Sequence, residues 1–167
     1  DIWYYQDGQH VRTEFASHHK NYGQIWYLKD GNKYVRIEYA SHHEDHGSIC
    51  YIEDGEPARI EFASHHKDHG QICYLKNGNA VRAEYASYHK EHGNISYFKD
   101  GNDWYKEFAS QHKHYGEIWY YENDRHTRIE FAPHHKNHGE IWHYDCNGKY
   151  KRNESLPIPW LFKYRIE

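Results

Sequence analysis

The stretch Glu61-Phe62-Ala63-Ser64-His65-His66-Lys67-Asp68-His69-Gly70, continued by Gln71-Ile72-Cys73-Tyr74, recurs six times along the chain with small variations. Its Gly falls at Gly23, Gly47, Gly70, Gly93, Gly116 and Gly139, a period of about 23 residues. The Glu-aromatic-Ala step keeps the same phase from Glu14-Phe15-Ala16 to Glu130-Phe131-Ala132, and a seventh copy breaks off at Arg152-Asn153-Glu154. A unit this short cannot enclose a core of its own, so neighbouring copies must cover its apolar surface. The chain reads as a repeat array.

Each copy holds a short aromatic run, a turn dipeptide, a second run and a polar corner. The turns are Asp7-Gly8, Asp30-Gly31, Asp54-Gly55, Asn77-Gly78, Asp100-Gly101, Asn123-Asp124 and Asn147-Gly148. Such pairs tolerate the positive φ of a two-residue type I′ loop, the strongest short-range signal for a β-hairpin. The flanking runs are rich in Tyr, Ile, Val and Trp and too short for helices. The expected fold is all-β: an elongated single-layer antiparallel meander of stacked β-hairpins, about 14 strands long.

A two-residue loop at Asp54-Gly55 with a regular ladder sets Glu53 opposite Glu56, Cys50 opposite Arg59 and Ile49 opposite Ile60. One face then carries Ile49, Tyr51, Ala58, Ile60 and Phe62, with Ile2, Tyr4, Val11, Thr13 and Phe15, and Ile72, Tyr74, Val81, Ala83 and Tyr85, as counterparts. The other face pairs Trp3 with Arg12, Cys50 with Arg59, Cys73 with Arg82 and Trp119 with Arg128. A Glu follows two residues after each Arg. Arg-x-Glu reads as a cross-strand charge ladder and Trp–Arg as a cation–π contact. The hairpin at Asp30-Gly31 has one extra residue, and Tyr105 stands in for the Arg of its copy.

Composition bounds the function. Only 37% of the 167 residues are hydrophobic, and the apolar content is concentrated in 18 Tyr, 6 Trp and 6 Phe. The mean hydropathy is -1.23. That suits a thin array covered by aromatic rings, and aromatics in strict period exclude a disordered chain. A formal charge of -4 leaves no net basic face for nucleic acid. No run approaches the ~18 apolar residues of a membrane-spanning helix. With no Met, and opening inside a repeat at Asp1-Ile2-Trp3-Tyr4, the chain is expected to be a piece of a longer protein.

Cys50, Cys73 and Cys146 do not form a disulfide framework. Cys50 and Cys73 are equivalent in neighbouring hairpins, hence two strands and roughly 9–10 Å apart, beyond the reach of a disulfide. Free thiols favour a reducing compartment, cytoplasmic or host-cytoplasmic, or a virion. His-His-x-x-His recurs at His42, His43 and His46, at His65, His66 and His69, and at His134, His135 and His138. Imidazole clusters of this kind can hold zinc. Only His19, His43, His66, His89, His112 and His135 occur in every copy, however, and Tyr22 or Tyr115 replaces the last His in two. A solvated corner with imidazoles on the backbone is the expected state, with no metal or other cofactor. Six near-equivalent corners set no nucleophile–base pair apart from the repeat, so no enzyme is expected.

A period near 23, an aromatic after Glu, and the corners Lys67-Asp68-His69-Gly70 and Lys136-Asn137-His138-Gly139 resemble the MORN-repeat family. The match covers roughly residues 1–154. The run from Gly116 to Tyr121 is most similar to divergent MORN variants, and the His-rich corner to viral versions encoded by large DNA viruses. The resemblance implies β-hairpin arrays that serve as scaffolds, dimerisation modules or membrane-proximal adaptors. The corner here is one residue longer than the family's, His66 stands about where a Gly is usual, and Ile72 replaces a second Gly. These departures argue against membrane contact. Trp119-Tyr120-Tyr121 before a turn also resembles choline-binding repeats, whose shorter period and following Gly-Trp are missing.

The expectation is therefore a structural protein mediating protein–protein interaction or self-association. The alternatives are a sugar- or choline-binding module and a zinc-binding repeat protein. Residues 1–154 form the array, and 155–167, the most apolar stretch, form a C-terminal cap or dimerisation tail. On the supposed Arg-bearing face Trp3, Trp26, Trp119 and Trp142 flank the smaller Cys50, Cys73 and Ser96, which predicts a shallow depression. Leu156, Trp160 and Phe162 of the tail are the candidates to fill it in a homodimer.

Overall fold

The turn dipeptides do what their chemistry allows. In the computed structural model, which describes residues 1–155, both residues of a turn adopt the left-handed region, as at Asp54 (φ 50°) and Gly55 (φ 86°). Asn123 and Asp124, with no Gly between them, do the same at 51° and 61°. The Asp30-Gly31 turn is longer by Asn32, so Lys29 faces Lys33. The seventh turn differs from the expected Asn147-Gly148 pair. It begins at Asp145, whose carbonyl accepts the Gly148 N–H at 2.8 Å. The Asp145 carboxylate also accepts the Asn147 and Lys149 N–H groups at 2.9 Å each.

The chain is all-β, with fourteen antiparallel strands among the described residues, ordered in the sheet as in the sequence. It divides into two compact units, Asp1–His89 and Lys90–Glu167. The first holds β1 (Ile2–Gln6), β2 (Gln9–Glu14), β3 (Gln24–Lys29), β4 (Lys33–Tyr39), β5 (Ser48–Glu53), β6 (Glu56–Phe62), β7 (Gln71–Lys76) and β8 (Asn79–Tyr85). The second holds β9 (Asn94–Lys99), β10 (Asn102–Phe108), β11 (Glu117–Glu122), β12 (Arg125–Phe131), β13 (Glu140–Tyr144) and β14 (Tyr150–Ser155). Among the described residues no helix is long and apolar enough to cross a membrane.

The ladder is not regular, and this corrects the face assignment. In each hairpin the second strand carries one extra residue. Ile52 faces Pro57 but Tyr51 faces Arg59, so Ala58 is inserted as a bulge. The same shift skips Val11, Val35, Val81, Trp104, Thr127 and Lys151. One extra residue inverts every position beyond it. Cys50 therefore faces Ile60 rather than Arg59, and Trp3, Cys73 and Trp119 face Thr13, Ala83 and Ile129. Ile60 and Phe62 leave the face that carries Ile49 and Tyr51.

Because side chains alternate along a strand, the observed register gives two faces of different chemistry. In the first unit one row reads Trp3, Thr13, Trp26, Ile37, Cys50, Ile60, Cys73, Ala83. In the second unit a row reads Ser96, Lys106, Trp119, Ile129, Trp142, Asn153. This aromatic face holds most of the buried positions: Ala83 is 0% exposed, Cys50 7% and Ser96 2%. Lys106 interrupts the apolar row, and its ammonium pairs with Asp103 at 3.1 Å and sits 4.9 Å from the Tyr121 ring centre. Burial first, then the Asp103 and Glu91 charges, push the Tyr121 hydroxyl up to about 12.

Candidate functional site

The opposite face is built from two rows. One alternates Tyr and Arg, reading Tyr4, Arg12, Tyr27, Arg36, Tyr51, Arg59, Tyr74, Arg82 in the first unit. The other alternates Ile and Glu, as in Ile25, Glu38, Ile49, Glu61. The cation–π partners of the Arg residues are therefore tyrosines and not the expected tryptophans. The guanidinium carbon lies 4.0 Å from the ring centre in Arg36–Tyr27, 4.2 Å in Arg59–Tyr51 and 4.0 Å in Arg128–Tyr120. In the second unit Tyr105 takes the Arg position and stacks on Tyr97 with ring centres 4.3 Å apart.

Each Arg also meets the Glu two residues further along its own strand, at 3.1 Å for Arg36–Glu38 and 3.2 Å for Arg59–Glu61 and Arg128–Glu130. The expected charge ladder thus runs along strands rather than across them. The cross-strand link to Glu is the tyrosine hydroxyl. Tyr27, Tyr51 and Tyr120 donate to Glu38, Glu61 and Glu130 at 3.1, 3.3 and 3.1 Å. Burial, then the Glu130 charge, raise the Tyr120 hydroxyl well above its ordinary value. These half-exposed pairs are worth little each, about 0–1 kcal/mol. Their main effect is to hold a guanidinium, a phenol and a carboxylate in one fixed group per hairpin.

The corners explain which His is constant. The second His of each corner lies on the ring that ends the preceding strand: His66 on Phe62 at 4.6 Å and His135 on Phe131 at 4.7 Å between centres. Its Nδ1 accepts a backbone N–H two residues on, from Asn21 to His19, Asp45 to His43, Asp68 to His66, His114 to His112 and Asn137 to His135, at 3.0–3.2 Å. That bond makes Nε2 the protonated nitrogen of the neutral ring. The first and last rings of successive corners stack on each other instead: Tyr22 on His42, His46 on His65, His69 on Tyr88, Tyr115 on His134. Any flat ring serves there, which is why Tyr and His interchange. Among the described residues no three His, Cys, Asp or Glu side chains are grouped as metal ligands.

Of the residues singled out in the sequence, Trp3 is 62% exposed on β1. Trp26, Trp119 and Trp142 are half-buried on the aromatic face. Their indole N–H groups donate to Gln24, Glu117 and Glu140 at 2.8, 2.7 and 2.8 Å, and each ring meets a Phe edge-on. They do not share a face with Arg, and Cys50 and Ser96 are buried rather than lining an open depression there. Leu156, Trp160 and Phe162 lie outside the described residues. The three cysteines are unpaired, and burial pushes the Cys50 and Cys73 thiols up.

The alternation of Tyr with Arg in one row is what the sequence reading missed. Its signal was present, because Tyr4, Tyr27, Tyr51, Tyr74, Tyr97 and Tyr120 keep phase as strictly as Arg does. In the second unit this face opens into a cavity of about 740 Å³ beside Trp104, Tyr120 and Arg128. Comparisons with family models, curated proteins and solved structures return no match.

Proposed function

We propose that this chain is a MORN-like scaffold protein, acting through protein–protein contact or self-association and not through catalysis. The observation that carries this reading is the Tyr–Arg row. It repeats one preordered group in hairpin after hairpin, and Tyr and Arg are the residues that anchor protein interfaces. Rings held by cation–π contacts and hydrogen bonds lose little freedom on binding, which favours a broad, repeated contact over a single pocket. The groups that suggest chemistry in the sequence are engaged in packing, the corner rings with neighbouring rings and each Arg-x-Glu pair with the Tyr of the adjacent strand.

Self-association is the form of contact proposed first, a homodimer to which residues 155–167 contribute. Sedimentation of the full chain and of a variant lacking residues 155–167 tests it. A dimer that becomes a monomer on deletion is the expected result. A full-length monomer, or a dimer unchanged by the deletion, would contradict it.

A further inference from the structure

The bulge position is small or β-branched in five hairpins: Val11, Val35, Ala58, Val81 and Thr127. In β10 it is Trp104, which remains 48% exposed. Trp104 shares the 740 Å³ cavity of the second unit with Tyr120, Glu122, Arg125, Asp145 and Lys151. That volume is within the range of small-molecule sites. The charges around it balance. Glu122 and Asp145 equal Arg125 and Lys151 in number, with Arg125 donating to the Cys146 carbonyl and Asp145 accepting two backbone N–H groups, while Arg128 is paired with Glu130 at 3.2 Å.

A balanced site gains nothing from a net charge on its ligand. What it offers is a half-exposed indole, with the Lys99 ammonium 5.6 Å from its ring centre outside this cavity, bordered by carboxylate, ammonium and guanidinium groups. A pyranose ring matches both, because its C–H face packs on an aromatic ring while its hydroxyls donate to carboxylates and accept from cations. The cavity has room for more than one such ring. We propose that it is a binding site for neutral oligosaccharides, with Trp104 as the stacking platform and Glu122 as a hydroxyl acceptor. The site is lined by all three hairpins of the second unit and stands whether or not the repeat surface binds protein.

Isothermal titration of the full chain with maltotriose, cellotriose and triacetylchitotriose, and separately with choline chloride, tests this. Saturable binding of at least one trisaccharide is expected, with Kd of about 10 mM or tighter. Trp104→Val installs the residue found in other hairpins and is expected to keep the melting temperature while weakening binding at least tenfold. Glu122→Gln, at an exposed position, is expected to weaken it at least threefold. Trp142→Phe, on the aromatic face, leaves it unchanged. Linear heats with all three trisaccharides, binding that survives both Trp104→Val and Glu122→Gln, or saturation by choline alone would overturn the assignment.

Discussion

Gly47 and Gly55 have similar backbones, with φ of 96° and 86°, and different surroundings. A Cβ at Gly55 would meet nothing within 4 Å among the described residues. At Gly47 it would fall 2.9 Å from His65 Nε2 and 3.1 Å from the His66 Cβ, so the next corner sits directly on this one. Substituting Ala at Gly55 is expected to cost about 1 kcal/mol, from backbone strain alone. At Gly47 the cost is expected to be at least twice that, because the His must also move. Urea unfolding of the two variants makes the comparison, and equal costs would show that the corners do not pack as described. The sequence made Gly47 visible as a fixed position of the corner, but not the ring above it. That contact belongs to the following repeat and has no local signature.

The hairpin was legible because its turn chemistry is local, and the strands formed where the aromatic runs are. The bulge was not. Nothing in Pro57-Ala58-Arg59 marks an inserted residue, since the ladder on the turn side stays regular through Ile52 and Pro57. Assuming regularity beyond that point reversed Cys50, Arg59 and Ile60 together, and with them the chemistry of both faces. The outcome can be tested by a double-mutant cycle. Tyr51→Leu with Arg59→Met is expected to give a coupling of about 0.5–1 kcal/mol, from the cation–π contact. Cys50→Ala with Arg59→Met is expected to give none, because these side chains lie on opposite faces. The reverse pattern would restore the regular ladder.

Across the whole chain the account rests on the corner rings, one held by a backbone bond inside its own corner and others stacked from corner to corner. Burial first, and then the His114 and Lys113 charges, lower the pKa of His112 in the folded state. A base with a lowered folded pKa contributes its stability fully above the unfolded value of about 6.5 and loses it as pH falls through and below that value. Geometry acts in the same direction, since a proton on the Nδ1 of His112 removes the bond that it accepts from the His114 N–H at 3.2 Å. With 18 His the chain also moves from -4 towards a positive net charge. The direct test is the melting temperature followed from about pH 7.5 to about pH 5, at low and at high salt. The account predicts a fall that begins near pH 6.5 and is partly reversed by salt. A melting temperature flat across that range would contradict it.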